Sequence, residues 1–189
     1  MPAGDHAVLY ANLCFRLSLQ RSRSALEILG LMGVQSQERA RGAVRPSRAY
    51  SGRFDSPGFP VLYAAEEVET CEAEVAHHLE KNYLRQTASL RPQTFVYTLL
   101  EVPISGWLDD LRSRSRAALQ APTPRAYPRA RQYALAAFKA DMDGLLYDSA
   151  RHLGGTCIAR FLPGGLRLPT QAIGTRTLRW NGKRLALQL

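Results

Sequence analysis

The sequence is poor in two residue types that would have settled its class quickly. Cysteine occurs three times in 189 residues, at Cys14, Cys71 and Cys157. The odd number and wide spacing argue against a secreted disulfide framework, and no paired ligand spacing points to a structural zinc site. Lysine is equally scarce: Lys81, Lys139 and Lys183 are three of the 25 basic residues, and the other 22 are arginines. No window approaches the ~18 continuous apolar residues of a membrane span. Near the N-terminus Asn12 and Arg16 interrupt any apolar run before it reaches the length of an export signal.

The common catalytic signatures are missing too. There is no phosphate-binding glycine loop with a trailing lysine, no dinucleotide fingerprint between a strand and a helix, and no Gly-x-Ser-x-Gly elbow. His77 and His78 are adjacent, so on a helix they point about 100° apart and cannot chelate one metal. No metal is expected, and the expected location is cytoplasmic.

What is present describes a globular chain. At 46% hydrophobic and 22% charged residues the composition suits a soluble fold rather than a disordered one. The length fits a single domain over residues 1–189, which should bury roughly 70% of its unfolded surface. The formal charge is +9, carried almost wholly by arginine. The planar guanidinium fork suits phosphates, carboxylates and base edges, so charge alone admits nucleic acid, a phosphorylated small molecule or an acidic protein. The densest basic stretch, Arg112-Ser113-Arg114-Ser115-Arg116, contains no long basic block, and no aromatic–basic strand or recognition-helix pattern accompanies it.

Residues 24–32 read as a short apolar helix after the N-cap candidate Ser24, and residues 35–51 as a polar, arginine-dense loop. A turn at Gly52–Gly58 leads into a strand over 61–65. A helix over 68–84 follows, because Val68, Cys71, Val75, Leu79 and Tyr83 recur at spacings of three and four. The next strand spans 94–102 and is expected to end at Pro103. Trp107, Leu108 and Leu111 then suggest a helix to about 119, and prolines 122, 124 and 128 a loop. Another helix is expected over 129–143, with Leu135, Phe138 and Met142 on one face and Gly144 as its C-cap. Short strands follow at 145–147 and 157–162. Asn181-Gly182, between two apolar runs, predicts a type I′ hairpin over about 173–189. Strands and helices do not alternate strictly, which favours an α+β fold with a mainly antiparallel sheet and flanking helices.

Chemistry-bearing residues cluster at two junctions. The first stretch is Gly52-Arg53-Phe54-Asp55-Ser56-Pro57-Gly58-Phe59-Pro60-Val61-Leu62-Tyr63-Ala64-Ala65-Glu66, continuing through Glu69-Thr70-Cys71-Glu72-Ala73-Glu74-Val75. The second is Asp143-Gly144-Leu145-Leu146-Tyr147-Asp148-Ser149-Ala150-Arg151, followed by Gly154-Gly155-Thr156-Cys157. Read without regard to any family, Arg53 is a turn arginine paired with Asp55 and Tyr63 a core strand residue. Taken together and in this order, the two stretches resemble the RES domain, the toxin half of RES–Xre toxin–antitoxin pairs, over roughly residues 16–163. The family is named for an arginine, a glutamate and a serine.

That resemblance implies a fold like that of ADP-ribosyltransferases and an enzyme that uses NAD as substrate. The implied activity is cleavage of the nicotinamide–ribose bond by hydrolysis or phosphorolysis, depleting NAD, with a cognate Xre-type helix-turn-helix antitoxin as partner. Nucleic acid would then be met only through that antitoxin. Protein ADP-ribosylation is the alternative within the same chemistry, and an arginine-rich nucleic-acid-binding domain is the alternative outside it. Carried over by position, Glu74 is the catalytic carboxylate, Arg53 grips phosphate or ribose, Tyr63 contacts the nicotinamide end and Ser149 is the family serine. The first family arginine falls on Arg16, with Arg45 and Arg48 as competitors.

Glu72 pulls against this assignment. Helical spacing puts it inside the apolar stripe with Val68 and Val75, and a buried carboxylate is itself a functional candidate. The motif favours Glu74.

Overall fold

The computed structural model describes residues 6–19, 52–55, 59–84, 91–112, 123–163 and 168–188. The expected helix at 24–32 and the whole of the arginine-dense loop at 35–51, with Arg45 and Arg48, lie outside these residues. Seven strands form one mixed sheet: β1 (Ala7–Leu19), β2 (Val61–Ala65), β3 (Gln93–Asp110), β4 (Gly144–Asp148), β5 (Thr156–Phe161), β6 (Gln171–Trp180) and β7 (Leu185–Gln188). Two α-helices are described, α1 (Val68–Leu79), extended by a π-helical turn at Glu80–Leu84, and α2 (Tyr127–Lys139), entered through a 3-10 turn at Pro124–Ala126.

The strand order β1-β2-β5-β4-β3-β6-β7, with β1 also paired to β3, closes the first five strands on themselves. All pairings are antiparallel except β3 with β4. The closure is tight on one side, where β1 and β3 pair from Ala7↔Asp109 to Leu19↔Tyr97, and slight on the other, where β1 and β2 meet at Phe15↔Ala65. Inward side chains from all five strands fill the interior: Cys14, Leu62, Ala64, Val102, Ile104, Leu108, Leu146 and Ile158. With a period of two, the alternate residues of β2, β4 and β5 face outward, where Val61, Leu145, Tyr147, Cys157, Ala159 and Phe161 meet α2. These short strands are covered on both faces, which explains why they read as apolar runs without alternation.

Each helix sits where its sequence face directs it. Val68, Cys71, Val75 and Leu79 of α1 pack on Leu17, Phe95, Leu99, Leu178 and Trp180 as the periodicity anticipates. In α2 the buried face is instead Ala130, Ala134 and Ala137, while Leu135 and Phe138 are only partly buried at its edge. Alanine lets the helix approach the sheet closely, and Phe138 reaches sideways to stack on Phe59 at 4.4 Å between centroids.

One strand goes unannounced by the sequence, and three expectations are corrected. Alternation in β1 is concealed because Leu9 and Leu13 are exposed apolar residues on the outward face, so this strand carries no clear sequence signal. β3 continues through Pro103 to Asp110, which removes any helix beginning at Trp107; residues 113–119 lie outside those described. Proline is tolerated there because the second edge of β3 pairs with β6 up to Glu101 and with β4 only from Leu108. Between those points no ladder hydrogen bond is lost. Helix α2 ends at Lys139, and the left-handed residue beyond it is Asp141 (φ 58°), not Gly144. The hairpin loop is Asn181–Arg184, in which Gly182 (φ 95°) is left-handed and Asn181 is not, so it is not type I′. The Asn181 side chain accepts from the Lys183 and Arg184 amides at 2.9 and 2.8 Å instead.

Gly144 has a different reason to be glycine. It opens β4 against β5, and a Cβ there would lie 2.5 Å from the Ala159 carbonyl oxygen and 3.1 Å from Arg160 Cα. Because those are backbone atoms, Gly144→Ala is expected to destabilise the fold by about 1–3 kcal/mol. The check is a lowered urea midpoint at unchanged m-value.

Candidate functional site

Glu74 and Ser149 come from opposite ends of the sequence motif and meet directly. Ser149 follows β4, and its Oγ donates to Glu74 Oε1 at 2.7 Å. Ser149 Oγ also accepts from the amides of Arg151 and His152 at 3.1 and 3.0 Å, while the Ser149 amide donates to the Gly155 carbonyl at 2.8 Å. The serine is thus the knot of the 149–155 loop as well as the partner of Glu74. Oε2 of Glu74 lies 3.9 Å from His78 Nε2, one turn further along α1.

Glu72 goes elsewhere. It accepts a hydrogen bond from Arg176 Nε of β6 at 2.5 Å, with its side chain only 12% exposed. Spacing was right that Glu72 points into the packed side of α1, but its burial is answered by a structural ion pair. The structure brings Glu74, and not Glu72, to Ser149.

Arg53 lies in the Gly52–Asp55 turn before β2. Its guanidinium carbon is 5.4 Å from the Tyr147 ring centroid and 5.7 Å from that of Phe54, so the charge rests on two aromatic surfaces. Nε and Nη1 are buried, and among the described residues neither has a hydrogen-bond acceptor. Asp55 does not pair with Arg53 as a plain turn residue would. Its carboxylate accepts from the Gly52 amide at 2.6 Å and from the Tyr63 hydroxyl at 2.9 Å.

Tyr63 therefore serves the turn. Its hydroxyl donates to Asp55 and accepts from the Phe54 amide at 3.0 Å, and a Cβ on Gly52 would come within 2.6 Å of it. Burial, followed by the Asp55 charge, pushes this phenol well above its ordinary pKa. From α2, Arg131 Nε donates to the Gly52 carbonyl at 3.1 Å, a second support that the sequence did not disclose. Tyr63→Phe leaves the Phe54 amide without its acceptor and frees Asp55. It is expected to cost about 1–2 kcal/mol of stability and to raise the KM for an anionic substrate while changing kcat little. Steady-state kinetics together with denaturant unfolding would check both.

Shared electrostatics tie Arg53 to Glu74. Both charges act on Tyr147, on Cys157 and on His78. Burial and then the Glu74 charge push the Cys157 thiol up to about 12, against the lowering effects of Ser149 and Arg53, so this cysteine is a poor nucleophile. Burial lowers His77 and His78, and the Arg151 charge adds to this in both. Both imidazoles are thereby shifted toward the neutral form, with the Lys81 charge adding to the effect and the Glu74 charge opposing it. Arg16, on β1, lies near enough to Cys71 of α1 for its charge to act on that thiol, beneath the helix that carries Glu74. The adjacency of Tyr147 and Cys157 follows from their direct pairing across β4 and β5.

The RES domain family model matches residues 32–181, most of the chain. The chain belongs to the RES domain family. The match extends further toward the C-terminus than the two motifs do, taking in β6. No curated protein sequence matches this RES domain. Among solved structures it resembles the toxin of the M. tuberculosis MbcT–MbcA toxin–antitoxin complex, with TM-score 0.53 and 17% identity over 89% of this chain and 87% of that one. At that identity the likeness speaks to the fold, and the α+β architecture expected from the sequence is the one found. Among the described residues no helix is long and apolar enough to cross a membrane.

Proposed function

We propose that this RES domain is a toxin enzyme that cleaves NAD between nicotinamide and ribose, and that an antitoxin holds it silent. The observation that carries the reading is the arrangement of Arg53 beside the Glu74–Ser149 pair. A guanidinium that rests on two aromatic rings, with Nε and Nη1 unanswered among the described residues, is a charge kept for an anion, and a pyrophosphate suits it. The carboxylate of Glu74, held by one oxygen, acts with Arg53 on the same neighbours, Tyr147, Cys157 and His78.

Departure of nicotinamide takes the bonding electron pair and leaves positive charge on the ribose C1 and ring oxygen. A fixed carboxylate stabilises that oxocarbenium-like state, and the aromatic and aliphatic surroundings strengthen the interaction by excluding water. Ser149 fixes the Oε1 side of Glu74, and the Gly52–Asp55 turn, held by Tyr63 and Arg131, fixes Arg53. Water then attacks C1 and loses a proton to solvent to give ADP-ribose, or an oxygen of inorganic phosphate attacks there to give its phosphorylated form. The arginine-rich surface and the toxin–antitoxin setting of the structural relative support an antitoxin partner, of the Xre helix-turn-helix type and with an acidic contact face.

The test is incubation with NAD labelled in its adenylate moiety. Free nicotinamide with labelled ADP-ribose is the expected result, and an absolute need for phosphate would assign phosphorolysis. Label retained on protein would replace the reading with ADP-ribosyl transfer. Untouched NAD with micromolar, steeply salt-dependent nucleic-acid binding would overturn it altogether.

A further inference from the structure

The loop that carries Ser149 is pinned a second time, by groups that the Arg53–Glu74–Ser149 set does not include. Thr70, in the first turn of α1, is fully buried, and its hydroxyl donates to Glu67 Oε2 at 2.6 Å. The same hydroxyl oxygen lies 2.7 Å from His152 Nδ1. A hydroxyl has one proton, and that proton goes to the carboxylate, so the bond to His152 must be made with the imidazole as donor. His152 therefore carries its proton on Nδ1. Glu67 Oε2 also accepts from the Thr156 amide at 3.2 Å, which ties the start of β5 into the chain of bonds. Gly155 completes the fit: a Cβ there would collide with the Thr70 side chain and come within 2.8 Å of His152 Nδ1.

We propose that Glu67, Thr70 and His152 are positioning residues that hold the 149–155 loop so that the Ser149 hydroxyl stays on Glu74. The inference rests on the reading of Glu74 as the catalytic carboxylate, but its geometric half stands without it. The logic is one of connection. The His152 backbone amide donates to Ser149 Oγ, while the His152 ring is anchored to α1, the helix that bears Glu74. Thr70 and Glu74 lie one turn apart on that helix, so the loop is fastened to consecutive turns of one rigid element. Releasing the ring leaves Ser149 free to turn from Glu74, and a displacement of about 1 Å at a reacting group can cost about a hundredfold in rate.

Thr70→Val keeps the shape and removes the hydroxyl. It is expected to lower kcat for nicotinamide release about 10- to 100-fold with KM within about twofold, because Arg53 and its turn are untouched. Thr70→Ser should restore kcat to within about threefold. His152→Asn, whose amide can donate to Thr70, should retain more activity than His152→Ala. Two further readouts on the whole protein do not depend on turnover. Nitrogen-15 NMR of the imidazoles should show His152 as the Nδ1–H form, and hydrogen exchange at the Arg151 and His152 amides should quicken in Thr70→Val.

An Nε2–H form of His152 in the unmodified protein, or Thr70→Val with unchanged loop exchange, overturns the inference. So does unchanged kcat in a Thr70→Val protein whose parent cleaves NAD. If the parent leaves NAD intact, the functional reading fails, and the tautomer and exchange results alone decide whether the loop is held in this way.

Discussion

Glu74→Gln is expected to abolish nicotinamide release, by roughly a thousandfold or more, with the fold intact. The substitution is close to isosteric, and the amide carbonyl can still accept the Ser149 hydroxyl that now binds Oε1 at 2.7 Å. What disappears is the negative charge that the oxocarbenium-like state requires, so the loss should appear in kcat and leave the melting temperature nearly unchanged. Glu72→Gln should behave in the opposite way. It weakens a pair to Arg176 in which both partners are largely buried, at about 1 kcal/mol of stability, and should leave kcat within a few-fold. The two variants, assayed side by side for turnover and thermal unfolding, form a crossed test. A live Glu74→Gln with a dead Glu72→Gln would move the active face of α1.

The second large effect is expected at Arg53, where activity and stability should part company. On the proposed reading, Arg53→Met removes the charge that would hold the substrate's phosphates, at about 1.5–3 kcal/mol for each charge-assisted hydrogen bond, so the KM for NAD should rise about tenfold or more. The same change removes buried donors that have no acceptor among the described residues and puts an apolar chain against Phe54 and Tyr147. The free protein should therefore become more stable, by about 0.5–1 kcal/mol, which is the expected exchange at a site kept ready for a ligand. Initial rates over a range of NAD concentrations, with urea unfolding of both proteins, measure the two halves. A destabilised variant with unaltered KM would show that Arg53 belongs to the packing of the turn.

Much of this arrangement was legible in the sequence, and the exceptions share a physical cause. The stripe Val68–Cys71–Val75–Leu79 announced α1 because one face of that helix is buried and the other is not. The same periodicity put Glu72 on the packed side correctly. It could not reveal Arg176, which lies 104 residues away and answers that burial. β1 escaped notice since apolar residues stand on both of its faces, and β3 was cut short because the tolerance of Pro103 depends on which edge of the strand is paired. The motifs placed Arg53, Glu74 and Ser149 in order, but Tyr63 could be read only as a ligand contact or a core residue. Its bonds to Asp55 and Phe54 make it the brace of the arginine turn. Thr70 stood inside the first motif with no role attached and His152 outside both, because a pair 82 residues apart is visible only once β5 has brought the loop to the helix.

The pairing order of the strands also fixes when the chemistry can begin. β2 has β5 as its main neighbour, and β5 lies between β2 and β4, so the two halves of the site are united by a strand made late in the chain. Glu74 and Ser149 are 75 residues apart, a stretch that a ribosome adding 5–20 residues per second needs roughly 4–15 s to supply. Throughout that interval the growing chain already contains Arg53 and Glu74 but has neither the serine nor the strand that seats it. A nascent copy therefore lacks the Glu74–Ser149 pair until the Ser149 loop and β5 have been made.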